Sequence, residues 1–196
     1  AQELPADPVL FSNLTAMIHY AKGVAHAALG QVDEALDEQA LFQAARARVP
    51  ETRLLHNNRC QDLFAIAEEM LAGEIAYRRG HFDAAFAHLR ASVAADDTLP
   101  YDEPWGWMQP TRHALGALLL EQGRTAEAEA VYREDLGLGG TLTRAQIHPD
   151  NIWALRGLMD CLKARGADSS DEARLIRQRL DLAQARSDLP VEVSCF

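Results

Sequence analysis

A spaced glycine pattern constrains this chain more than any other feature. Three segments, Gly23–Ala35 (GVAHAALGQVDEA), Gly73–Ala85 (GEIAYRRGHFDAA) and Gly116–Ala128 (GALLLEQGRTAEA), share one arrangement. Each carries a Gly, a second Gly seven residues on, and an Ala five residues after that. A fourth segment, Gly157–Gly166, is looser, with its glycines nine apart. The closing glycines, Gly30, Gly80, Gly123 and Gly166, recur at intervals of 50, 43 and 43 residues. Recurrence on this scale is the mark of a chain built by stacking one small unit. The local physics is that of a helical hairpin. A helix with an apolar stripe runs up to the closing Gly, which takes a left-handed conformation and turns the chain. A second helix starts two or three residues later. A Gly inside the first helix costs about 1 kcal/mol relative to Ala. Its repetition at one register therefore signals close helix contact.

Capping and stop signals divide the rest. Asp7 with Pro8 opens a first helix that runs to Leu29, and Val32 to Arg48 forms a second, stopped by Pro50. Further helices are predicted over Asn58–Arg79, Phe82–Ala95, Pro110–Gln122, Thr125–Leu136 and Asn151–Arg165. An eighth opens on the Ser169–Glu172 capping-box spacing and reaches about Arg186. Asp96–Gln109 reads as a loop and the glycines at 137, 139 and 140 as a flexible connection. Residues 188–196, with Pro190, read as a non-helical tail. No linker divides the chain, so 1–196 is expected to form one repeat domain, with repeats over 8–187. The stripe Leu10, Leu14, Met17 and Ala21 on the first helix is not a polar cap. It suggests further repeats upstream, or self-association through that face.

These segments resemble the tetratricopeptide repeat family. Leu115, Gly116, Gly123, Ala128 and Tyr132 fall on its signature spacing, although the family's period is about 34 residues. The resemblance implies an all-α, right-handed solenoid of about four irregular hairpins. A second stretch is similar to the C-terminal region of larger microbial tetratricopeptide-type proteins. It carries Glu103, Pro104, Trp107, Pro110, Arg112, Leu115 and Gly116, then Tyr132, Arg133, Asp135 and Leu136, then Pro149, Asn151 and Trp153. That similarity implies a larger parent of which this chain is the C-terminal piece.

The family's inward positions imply a groove that binds a protein or peptide partner. They map to Met17, Tyr20 and Val24 in the first repeat and to Met70, Glu74, Tyr77 and Arg78 in the second. The third repeat supplies Pro110, His113, Ala117 and Glu121. The loop TLPYDEPWGWMQP is the most unusual stretch, with Tyr101, Asp102, Glu103, Trp105 and Trp107 concentrated in it. Such a loop either helps to form a pocket beside a groove or folds its tryptophans back between repeats.

Composition removes other classes. A formal charge of −10 argues against a nucleic-acid surface, which needs clustered Lys and Arg. No apolar run approaches the ~20 residues of a membrane span. The three cysteines show no CxxC pairing, so no disulfide framework or zinc knuckle is indicated; Cys60 and Cys161 read as small buried hydrophobes. None of the seven histidines pairs at i, i+4. The charge runs at 32–39 and 170–179 read as solvated faces with local ion pairs. No phosphate loop or nucleophile motif is present, so no catalytic residue and no cofactor are assigned.

The second reading is a metal-dependent or small-molecule site between the 101–110 loop and the groove. It would use Glu74, Asp102, Glu103 and His113, with Cys195 reaching back if the tail folds over. The compartment is open: cytoplasmic is favoured, exported if Ala1 is a signal cleavage product.

Overall fold

The computed structural model describes residues 9–195. The Asp7–Pro8 cap lies outside them. The protein is all-α, with eight helices among the described residues: α1 Ser12–Ala28, α2 Val32–Arg46, α3 Cys60–Arg78, α4 Phe82–Asp96, α5 Thr111–Glu121, α6 Thr125–Asp135, α7 Ile152–Ala164 and α8 Asp171–Gln184. None of them is long and apolar enough to cross a membrane. The chain forms two compact units, Ala1–Met108 and Gln109–Phe196.

All four hairpin turns use the same device. Gly30, Gly80, Gly123 and Gly166 have φ of 76°, 76°, 71° and 72°. The amide after each reaches back five residues, as in Gln31 N–H to the His26 carbonyl and Arg124 N–H to the Leu119 carbonyl, both 2.9 Å. This double closure satisfies carbonyls that the helix end leaves open. It makes the turn a local property of the sequence, and so the helices fall close to their predicted places.

In the first unit, α1 pairs with α2 and α3 with α4, and α1 also lies beside α3. Aromatic rings fill the interior: Phe42 meets Phe64 at 6.0 Å and Tyr20 at 6.5 Å between centroids. Between α2 and α3 the chain forms a short antiparallel hairpin, β1 Leu54–Leu55 with β2 Asn58–Arg59. The apolar stripe of the first helix is largely open, with Met17 half-buried and Ala21 exposed. Leu10 and Leu14 are exposed, and the buried positions of α1 are Ser12, Ala16, Tyr20, Gly23 and Ala27.

In the second unit, α5 pairs with α6, α7 with α8, and α7 also contacts both α5 and α6. Tyr132 of α6 is the centre of this arrangement and is fully buried. A β-carbon added to Gly116 would lie 2.5 Å from the tip of its ring, and one added to Gly157 would lie 2.2 Å away. The ring therefore passes through a slot that only two glycines, one on α5 and one on α7, can leave open. The fourth copy, despite its nine-residue spacing, keeps the same two roles as the third: Gly157 serves the slot as Gly116 does, and Gly166 serves the turn as Gly123 does. Gly157→Ala is expected to destabilise the protein by about 1–3 kcal/mol through overpacking. Helix propensity alone would give about 1 kcal/mol in the opposite direction. Urea unfolding of the variant, alone and in a Tyr132→Leu background where the cost should fall away, checks this.

Three local expectations change. Ser170, one residue later than the expected Ser169, caps α8, its hydroxyl accepting from the Ala173 amide at 3.1 Å. Glu172 is not part of a solvated run with local pairs only. It joins Arg133 at 2.7 Å and Arg165 at 3.6 Å, and Glu129 joins the same two arginines, so that α6 and the end of α7 are tied to α8. The bond from Arg133 holds the Glu172 carboxyl below its ordinary range. Finally, Gly137 is held rather than loose. It closes α6 with φ 74° and packs on Ile147, and the Leu138 amide bonds the Arg133 carbonyl at 2.8 Å.

Candidate functional site

The residues expected to line a groove in the first unit are mainly packing residues. Tyr20, Met70 and Tyr77 are buried. The Tyr20 hydroxyl faces the Met70 sulfur at 3.6 Å, and Tyr77 packs edge-on against Phe82 and Phe86. A ligand could reach these rings only by unpacking the unit. Glu74 and Arg78 bond each other at 2.8 Å, with the Arg78 guanidinium 5.5 Å from the Tyr77 ring centre. Met17 and Val24 are half-buried.

The aromatic loop divides its roles. Asp102 is buried and organises the turn: one carboxylate oxygen accepts from the Asn57 amide and the Asn58 side chain, both at 3.1 Å, and the other from the Glu103 amide. Trp107 folds inward and meets Tyr20 edge-on at 5.6 Å, while Tyr101 and Trp105 remain exposed. Gly106 is pressed against Asn58, where a β-carbon would lie 2.6 Å from the side-chain nitrogen. The Tyr101 hydroxyl donates to Glu103. The loop is thus anchored to the β hairpin by Asp102 and to the core by Trp107.

His113 is buried and bonds Asp135, with Nε2 3.1 Å from one carboxylate oxygen. The other oxygen meets His148 Nδ1 at 2.8 Å, and the His148 amide bonds the Asp135 carbonyl. Burial pushes the fully buried Asp135 carboxyl up, but the bonds and positive field of the two histidines outweigh it and hold it below the ordinary range. Asn151 follows as the N-cap of α7, accepting from the Trp153 and Ala154 amides. The Tyr-Arg-x-Asp-Leu stretch and His148, the residue before Pro-x-Asn-x-Trp, therefore meet at the buried Asp135. Among the described residues, no group of three or more His, Cys, Asp or Glu is arranged to hold a metal ion.

The most distinctive surface is the face of α5 and α7 reached by the Tyr132 hydroxyl. Tyr132 enters its glycine slot from α6, and its hydroxyl meets Ser194 Oγ at 2.6 Å. The segment 189–195 thus lies on the side of the α5–α7 pair opposite α6. Its main chain is held by side chains. Arg156 of α7 donates through Nε and Nη2 to the Val191 carbonyl at 3.2 and 3.0 Å. Gln184 of α8 accepts from the Val191 amide at 2.9 Å and donates to the Leu189 carbonyl at 2.8 Å. Of the side chains, Ser194 is buried, whereas Leu189 and Val193 are 75% and 57% exposed. Hydrogen bonds of this kind contribute about 1 kcal/mol each. With little apolar burial beside them, they hold the segment lightly.

Beside the segment lies a cleft of about 370 Å³, lined by Ala117, Leu120 and Glu121 of α5, Asp160 of α7, and residues 192–195. Ala117 and Glu121 are two of the groove positions expected in the third repeat; the other two, Pro110 and His113, are buried. Burial raises the Asp160 carboxyl above its ordinary range, against the field of Arg156 and Lys163. Of the three cysteines, Cys60 and Cys161 are buried and Cys195 reaches the cleft. Burial pushes the Cys161 thiol up to about 12, so it is a packing group. Arg156, Gln184 and Asp160 were not singled out from the sequence.

Compared with known proteins, the chain matches no family model, no curated protein and no solved structure.

Proposed function

We propose that the chain is an interaction module of tetratricopeptide type, a right-handed solenoid of helix hairpins that seats an extended segment of a protein partner on its first helices. One observation carries the proposal: Arg156 of α7 and Gln184 of α8 already hold a non-helical segment, residues 189–195, mainly by its backbone, against the face where the Tyr132 hydroxyl meets Ser194. A surface that grips main-chain groups and leaves side chains exposed is suited to receiving extended peptides. The four equivalent glycine turns and the Gly–Ala register support the repeat type.

Peptide selection tests it. Random nonapeptides are selected on the wild-type chain and on a Ser194→Leu chain, in which the larger apolar side chain cannot sit against the Tyr132 hydroxyl. Selection on the variant is expected to yield peptides that shift the amide resonances of Ala117, Glu121, Arg156 and Asp160. Peptides that perturb other surfaces only, or no binders at all, would contradict the proposal.

A further inference from the structure

We propose that the α5–α7 groove selects an extended peptide carrying a lysine or arginine next to a serine or threonine, and that residues 189–195 occupy the groove as an internal competitor for it. The inference rests on the peptide-groove reading above and adds the chemistry of the ligand.

The hydroxyl requirement comes from Tyr132. Its buried phenol reaches through the glycine slot and donates to Ser194 Oγ at 2.6 Å. A threonine offers the same group, whereas an alanine leaves the buried phenol without a partner.

The basic requirement comes from the cleft beside that position. It is lined by three carboxylates, Glu121, Asp160 and Glu192, and none of them is in an ion pair among the described residues. One of the three, Glu192, belongs to the seated segment, so the internal occupant adds negative charge where the groove is already negative. Its volume, about 370 Å³, is in the range of ligand-sized sites and is left open beside Cys195. A long cationic side chain at the position of Cys195 would fill this space and pair with Glu121 and Asp160. The carboxyl of Asp160, raised by burial, would gain the counter-charge it lacks at close range.

The seated segment therefore meets the hydroxyl and backbone requirements and fails the charge requirement. It satisfies the groove in the absence of a partner, and a basic peptide displaces it.

The test uses fluorescein-labelled peptides of residues 189–195: the natural sequence, one with Cys195→Lys, one with Cys195→Glu, and one with Cys195→Lys and Ser194→Ala. Each is titrated by fluorescence anisotropy against the full wild-type chain and the full Ser194→Leu chain at two salt concentrations. The lysine peptide is expected to bind most tightly. The glutamate peptide should be weaker by about tenfold or more, a gap that narrows at high salt. The Ser194→Ala peptide should lose affinity as well, and the wild-type chain should bind every peptide more weakly than the Ser194→Leu chain. In a chain with Glu121→Gln and Asp160→Asn the preference for lysine should vanish. Groove binding that ignores the charge at that position would overturn this inference and leave the peptide-groove reading standing. No binding by any of the four, together with no binders from the random selection, would overturn both.

Discussion

Replacing Tyr132 by alanine is expected to cost about 3–5 kcal/mol, the loss of a large, fully buried aromatic side chain. The ring fills the space left by Gly116 and Gly157. Its removal opens a channel through the α5–α7 pair that two glycines cannot collapse to fill. Tyr132→Phe separates the two roles of this residue. It keeps the ring in the slot and removes only the hydroxyl, so its cost should be about 1 kcal/mol, accompanied by more frequent opening of residues 189–195, which keep their bonds to Arg156 and Gln184. Denaturant unfolding measures the first effect, and exchange of the Val191 amide measures the second. An alanine variant within 1 kcal/mol of wild type would contradict the slot account.

Asp135→Ala is expected to have an effect of similar size, about 3–5 kcal/mol, because it leaves His113 and His148 facing a buried site without their shared acceptor. The pH dependence follows from the direction of the shift. The folded carboxyl titrates below the ordinary Asp value of about 3.9. The folded state therefore binds this proton less readily than the unfolded chain. Its contribution to stability is fully present above the unfolded value and is lost as pH falls through the folded one. The stability gap between wild type and Asp135→Ala should shrink as pH falls below about 4. Urea midpoints across that range check it; a gap that widens on acidification would be inconsistent with a depressed Asp135.

What the sequence reveals depends on how local each feature is. The hairpin turns are legible because a closing glycine and the amide after it act within five residues. The helices between them follow from caps and stops. The hairpin at 54–59 escapes because its strands are two residues long and Leu54 and Leu55 are exposed, so no alternation marks it. The groove positions in the first unit are legible as positions and not as surface. Ten positions of α3 are buried, spread around the helix, and a 3.6-residue period cannot say which of them meet a ligand and which meet α1 or α4.

The second unit shows the same limit at longer range. His113 stands out in the sequence, but its partner Asp135 is 22 residues away and the second histidine 13 beyond that. A charged residue at a buried helix position has no periodic signature. The tail reads correctly as non-helical. Its seat depends on contacts that span 35 residues to Arg156 and 62 to Tyr132, and only folding reveals them. The fourth glycine pair shows the reverse. Its irregular spacing looks like a decayed repeat in the sequence, yet Gly157 packs on the ring of Tyr132 and Gly166 turns the chain, the roles that Gly116 and Gly123 have in the third pair.

The seating of residues 189–195 is the claim on which the functional reading depends, and it can be measured directly. In a nuclear Overhauser spectrum of the full chain, the ring protons of Tyr132 adjacent to its hydroxyl should show cross-peaks to the β-protons of Ser194, and the Val191 amide should be protected from exchange. Random-coil shifts throughout 189–195, with no cross-peak from Tyr132, would show that the segment does not occupy the groove.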